Sequence, residues 1–186
     1  MKRVVPDYPA HKDELEVISL REGDRIVGAV ELRTGEEDLV FITNEAQLLR
    51  YQAGQVRPQG RAAGGVAGIK LGGAEAKVIS FTAVDPAADA VVFTVAGSHG
   101  TLDDSVLTAK LTPFDQYPRK GRATGGVRCQ RFLKGEDCLT FGWAGAAPAR
   151  AATRTGTAAE LPEPDPRRDG SGVPLAKPVA AMAGPF

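Results

Sequence analysis

Gly60-Arg61-Ala62-Ala63-Gly64-Gly65-Val66 returns as Gly121-Arg122-Ala123-Thr124-Gly125-Gly126-Val127, and a worn third copy reads Arg168-Asp169-Gly170-Ser171-Gly172-Val173. The shared frame is Arg-x-x-(Gly/Ser)-Gly-Val. Its arginines, at 61, 122 and 168, lie 61 and then 46 residues apart. A motif returning at about this interval says that one structural unit is stacked several times. Paired glycines need a backbone reason, either a positive φ or a very close neighbouring strand. An arginine just before them sets a cation beside a bare backbone, a surface suited to an anion.

The surroundings repeat too. Leu20-Arg21-Glu22-Gly23-Asp24-Arg25-Ile26-Val27 matches Phe132-Leu133-Lys134-Gly135-Glu136-Asp137-Cys138-Leu139, with Leu71-Gly72-Gly73-Ala74-Glu75-Ala76-Lys77-Val78 as a weaker middle copy. Leu39-Val40-Phe41-Ile42-Thr43 matches Val91-Val92-Phe93-Thr94-Val95. The unit is therefore strand, turn, strand, turn, strand, then the Arg/Gly loop.

In chain order, strands are expected at 14–20, 25–32, 39–43 and 47–51, then at 69–71, 77–83, 91–95 and 105–110. The last group lies at 127–132, 138–143, 149–153 and 157–161. Each alternates or is rich in Val, Ile and Leu between Gly, Pro and Asn turns. Residues 144–152 are alanine-rich, but Gly145 and Pro148 argue against a helix. The run 161–166 alternates with proline and reads as polyproline-like. Residues 1–12 read as an extended lead-in, a strand lent to or borrowed from a neighbour. Three repeats are expected at 13–66, 67–127 and 128–173, and 174–186 read as a loose tail without a core of its own. All-β units of this size with four short strands suggest propeller blades or a related radial array.

The 186 residues carry 23 basic and 23 acidic side chains, so no net field draws the chain to nucleic acid or membrane. The distribution is uneven. Residues 13–45 hold ten acids against Arg21, Arg25 and Arg33. Residues 46–70 hold Arg50, Arg57, Arg61 and Lys70 with no acid, and 117–134 hold Arg119, Lys120, Arg122, Arg128, Arg131 and Lys134 with none. Positive charge thus gathers on the repeat loops. No apolar run approaches the ~20 residues of a membrane span, and no h-region follows the first residues. Cys129 and Cys138 fit no zinc spacing and read as free thiols of a reducing cytosol.

These residues support a family resemblance. The stretch 55–71, Gln-Val-Arg-Pro-Gln-Gly-Arg-Ala-Ala-Gly-Gly-Val-Ala-Gly-Ile-Lys-Leu, resembles the blade motif in the C-terminal domain of bacterial type IIA topoisomerase A subunits, those of gyrase and of topoisomerase IV. The resemblance runs over roughly residues 13–173. It implies an all-β, propeller-like β-pinwheel whose blades exchange outer strands. Here that means about three four-stranded blades in an incomplete or open disc. It implies further that DNA bends around a basic rim. The partners it implies are double-stranded DNA, the breakage-reunion domain of the same polypeptide family and the ATPase subunit, in a cytoplasmic, nucleoid-associated setting. The chain departs from the family in having fewer units, no intact Gln-Arg/Lys-Arg-Gly-Gly-Arg/Lys-Gly box, and no catalytic core. The missing box favours a topoisomerase IV-like or degenerate branch, and the missing core a fragment or truncated product.

The chemistry expected is binding rather than catalysis. Tyr8, Tyr51 and Tyr117 lack the winged-helix context of a cleavage tyrosine. His11 and His99 are too scattered for a histidine metal site or a triad. No phosphate-binding loop or hydrolase motif is present, so neither a cofactor nor a metal is expected. Arg57, Arg61, Lys70, Arg119, Lys120, Arg122, Arg128 and Arg131 are the candidate DNA contacts, because arginine and lysine pair with phosphates without reading bases. For the motif arginines Arg61, Arg122 and Arg168 a brace between blades is an equal reading. A propeller-like scaffold for protein partners, using the acidic first unit, is the alternative to DNA binding.

Overall fold

The computed structural model describes residues 1–5, 11, 14–60, 63–99 and 107–185. Its regular elements are β-strands and single 3-10 turns. β1 (Asp38–Thr43) is buried at every position because it is central, with β2 (Gln47–Gln52) on one side and β3 (Val78–Val84) on the other, both antiparallel. Its side chains alternate between two cores. Val40 and Ile42 face the space shared with the next sheet, while Leu39 and Phe41 face outward to Tyr51, Val66, Ile69 and Phe81. Phe41 stacks on Tyr51 at 5.6 Å and tilts against Phe81 at 4.9 Å.

The second sheet repeats the plan. β4 (Ala90–Gly97) lies between β5 (Thr108–Pro113) and β7 (Cys138–Ala146), and all its residues are buried. Val92 and Ala96 join Val40, Ile42 and Leu48 in the shared core. Val91, Phe93 and Val95 form an outer one with Trp143, Leu161 and Met182. Each large apolar side chain so enclosed contributes roughly 1.5–3 kcal/mol.

The strands completing these sheets come from far along the chain. β6 (Val127–Arg128) pairs with β2, giving the order β3-β1-β2-β6, and β10 (Val173–Pro174) pairs with β5, giving β10-β5-β4-β7. A third sheet has the order β11-β8-β9, from β8 (Arg150–Ala152), β9 (Ala158–Ala159) and β11 (Ala181–Ala183). The molecule is an all-β pinwheel in which outer strands are exchanged between sheets.

Several expectations are corrected. Residues 14–20, 25–32 and 69–71 lie in no ladder among the described residues. Their apolar alternation is sound, but a strand needs a neighbour, and Leu20, Ile26 and Val27 are left exposed. The strand expected over 127–132 shortens to β6, after which Arg131 bridges only Ser171. That over 157–161 shortens to β9. The expectation over 105–110 is met from Thr108, and positions 105 and 106 lie outside the described residues. Residues 174–185 are not a loose tail: β11 pairs with β8, and Leu175, Val179 and Met182 pack into the outer core of the second sheet. Residues 144–152 form no helix: β7 runs to Ala146, and β8 follows a cis Ala147-Pro148 bond.

Candidate nucleic-acid interface

Each copy of the Arg/Gly motif ends on a valine that bonds to an earlier segment of the chain. Val127 pairs with Leu48, and Val173 with Ala109. Val66 exchanges bonds with Met1: its N–H donates to the Met1 carbonyl at 2.8 Å, and the Met1 amino group donates back at 2.8 Å. The second motif glycine makes this approach possible in the first two copies. Gly65 has φ +89° and Gly126 has φ +78°, and a Cβ on either would stand 2.4 Å from a carbonyl oxygen, of Met1 and Leu48 respectively. Both demands, an unusual φ and a bare backbone, meet at one position.

A second rung repeats two residues further along the receiving strand. The N–H groups of Gln59, Lys120 and Asp165 donate to the carbonyls of Arg3, Arg50 and Leu111, at 2.9, 3.0 and 2.8 Å. Arg3 and Arg50 then do the same work. Arg3 Nη1 donates to the Ala53 carbonyl at 3.1 Å, and Arg50 Nη1 to the Phe114 carbonyl at 2.8 Å. These carbonyls open the 3-10 turns Ala53–Gln55 and Phe114–Gln116. Residues 1–3 therefore hold the first loop as residues 48–50 hold the second. Arg3 escaped sequence reasoning. The signal for it was an arginine two residues beyond the position that receives the motif valine.

The first two loops lie against each other. The Arg122 N–H donates to Gln55 Oε1 at 3.2 Å and its Nη1 to the Ala67 carbonyl at 2.7 Å. Ala123 N–H donates to the Gly68 carbonyl at 2.8 Å, and Lys70 N–H to the Thr124 carbonyl at 3.0 Å. Arg122 thus braces one loop on the next with its side chain exposed. Lys120 Nζ donates to the Gly126 carbonyl at 3.1 Å across its own loop. Lys70, Lys120 and Arg122 are brought together on this seam, and all three are exposed.

The remaining candidates divide. Arg57 and Arg128 are exposed on the flanks of the loops. Arg131 is exposed, but its N–H donates to the Gly170 carbonyl at 2.9 Å, placing it beside the third motif. Arg61 lies outside the described residues. Arg119 is held inward: its Nε lies 2.9 Å from Asp38 Oδ1, and Arg50 Nε lies 3.1 Å from Oδ2 of the same carboxylate. The Arg50 guanidinium also covers the Phe114 ring at 4.2 Å. Two guanidiniums on one carboxylate leave one net positive charge at this joint. Asp38 and Arg119 lie 81 positions apart, so spacing could not reveal the pair.

The phenols of Tyr51 and Tyr117 are 0% and 1% exposed, and burial raises both above the usual tyrosine range. Tyr51 points its hydroxyl at Met1 Sδ, 2.9 Å away. Tyr8 lies outside the described residues. The Cys129 thiol is also sealed in the core, and burial pushes it up to about 12.

The family model of the DNA gyrase C-terminal domain, a β-propeller, matches residues 37–85 and 108–141. The matched residues take in β1 to β3, most of β5 to β7, and both positive-φ loops. The matched segments belong to the DNA gyrase A C-terminal domain family. The DNA gyrase A protein of Salmonella typhimurium is 34% identical over 111 residues, 59% of this chain and 11% of the relative. That of Klebsiella oxytoca is 36% identical over 110 residues, with the same shares. The chain thus aligns with about a tenth of the length of these relatives. The crystal structure of the C-terminal domain of DNA topoisomerase IV superposes with a TM-score of 0.70 at 17% identity, covering 90% of this chain and 52% of that one. At that identity the likeness is one of fold. The charged seam between loops one and two falls within the two matched segments, at the positions where the repeat is most regular.

Proposed function

We propose that this chain binds and bends duplex DNA along the seam of its Arg/Gly loops. In this reading it is the C-terminal part of the A protein of an ATP-dependent type IIA topoisomerase. It delivers the duplex to a separate breakage-reunion domain, works with an ATPase partner protein, and acts in the cytoplasm on the nucleoid. The repeats at 13–66, 67–127 and 128–173 serve as its blades. The chain cuts no DNA itself, a reading supported by the buried phenols of Tyr51 and Tyr117.

One observation carries the proposal. Arg122 ties two acid-free basic loops together, and Lys70, Lys120 and Arg122 are all exposed on them. Phosphates recur along a duplex every ~1.7 Å of axis, and a row of cations takes them without reading bases.

The test is fluorescence anisotropy of the whole chain with duplexes of unrelated sequence at graded salt. About four neutralised phosphates give a slope of log K against log salt near −3.6. Equal affinity for unrelated sequences is expected. Absent or salt-independent binding would overturn the proposal. It would favour a scaffold for protein partners, the reading supported by the exposed Leu20, Ile26 and Val27 in the acidic segment 14–32.

A further inference from the structure

At the end of β4 the ladder to β7 pairs Gly97 with Cys138, and the Asp137 N–H donates to the Gly97 carbonyl at 2.9 Å. This rung lays the turn Ser98-His99 over the residues that open β7. His99 Nδ1 lies 3.1 Å from Asp137 Oδ1, and the His99 N–H donates to the same oxygen at 3.0 Å. The Ser98 hydroxyl donates to Asp137 Oδ2 at 3.3 Å. The donor atoms of His99, Asp137 and Cys138 all lie within 4.8 Å of one another.

We propose that His99, Asp137 and Cys138 bind one borderline divalent transition-metal ion, with Zn²⁺ as the type case. The donors are an imidazole nitrogen, a carboxylate oxygen and a sulfur. Sulfur and nitrogen together disfavour hard ions such as magnesium and calcium and suit zinc or cobalt. Zinc sits about 2.0–2.3 Å from such ligands, so a tetrahedral set needs its donors to close to roughly 3.5 Å. The side chains of His99 and Asp137 are 58% and 54% exposed and free to turn by that much, while the buried Cys138 stays fixed by β7. Three protein ligands leave the fourth position open to solvent water. Burial, and then the hydrogen bond to Asp137, hold the Cys138 thiol up at about 11. An incoming ion therefore exchanges for that thiol's proton, which leaves to solvent as the metal–sulfur bond forms.

The repeat shows that the fold does not require this pair. Where the third copy has Asp137-Cys138, the first has Arg25-Ile26 and the second Ala76-Lys77. The one copy that carries carboxylate and thiol is the one that a histidine overlies. Spacing concealed it, because His99 stands 38 positions before Asp137. The ion would clip the connection after β4 to the start of β7.

The test titrates the reduced whole chain with Co²⁺ and then competes with Zn²⁺. Expected is one cobalt per chain, a thiolate-to-cobalt charge-transfer band, and loss of that band as zinc displaces it. His99→Ala and Asp137→Asn should each weaken zinc binding at least about 100-fold, the upper range for losing even an outer-shell partner of a metal site. Both positions are exposed, so both variants should keep the wild-type circular dichroism. Cys138→Ser should remove the band, and Cys129→Ser should leave band and affinity intact. Zinc should raise the melting temperature of the wild type and of Cys129→Ser, and leave that of the three site variants unchanged. Cobalt bound without the band, absence of a one-to-one complex, or wild-type affinity in His99→Ala would each overturn the proposal.

Discussion

Arg119 Nε lies 2.9 Å from Oδ1 of Asp38, whose side chain has no exposed surface. A residue from the second basic loop is thereby spent on the first sheet. Asp38→Asn should cost about 3 kcal/mol, because it strands a half-buried Arg50 and leaves Arg119 facing it. Arg119→Ala should cost under about 1 kcal/mol, since its own side chain is 42% exposed and screened by solvent. Urea unfolding of both variants and of the double mutant measures the coupling. A loss in Asp38→Asn no larger than in Arg119→Ala would show that the carboxylate does not organise the joint.

The same geometry separates a cation paired to a buried carboxylate, Arg119, from exposed cations that face no acid among the described residues. Replacing Lys70, Lys120 and Arg128 together by alanine should flatten the salt slope of duplex binding by about 2.7 and weaken all sequences alike. Arg119→Ala should leave that slope almost unchanged. The reverse pattern in anisotropy titrations would move the DNA path off the loop seam.

Gly126→Ala should destabilise the chain by at least about 2 kcal/mol, because alanine is strained at positive φ and its Cβ would meet the Leu48 carbonyl. Gly60→Ala should fall within about 0.5 kcal/mol of the wild type, since nothing lies within 4 Å of that site. Paired thermal melts decide it; equal melting temperatures would show that the loop relaxes around a side chain.

Glu37 predicts an acid-side dependence. Burial pushes its carboxyl up, but backbone N–H donors from Thr34, Glu37 itself, Arg33 and Gly35 outweigh it and bring the group down to about 2 from 4.5. The folded state binds its proton more weakly than the unfolded state does. Its stabilisation is therefore complete above pH 4.5 and is lost as the pH falls toward 2. Glu37→Gln should melt lower than the wild type at pH 7, and the two should converge near pH 2. Parallel melting curves across that range would rule Glu37 out as the source.

Much of this was readable in the chain. The Arg-x-x-Gly-Gly-Val frame located the loops, and the apolar runs at Leu39 and Val91 located the two central strands, because both features are local. What stayed hidden was pairing. Residues 14–32 alternate as a strand should, yet no described strand pairs with them, and alternation says nothing of partners. Met182 and Val179 looked like a tail because their core is supplied by β4, β5 and β7, far back in the chain. Asp38 is one of ten acids between residues 13 and 45, and only the fold brings Arg119 to it.

The late arrival of β6 and β10 has a consequence for synthesis. β2 cannot be covered until Val127 has emerged from the ribosome, nor β5 until Val173 has. During that interval each presents a row of unpaired amides to solvent, and pairing that closes long loops is slow. The motif valine of another nascent copy offers the same strand, so neighbouring polysome products could trade them and emerge interlinked. The exchange that knits one molecule together is thus also a route by which two become entangled, and the speed of translation past Gly126 and Gly172 would set which occurs.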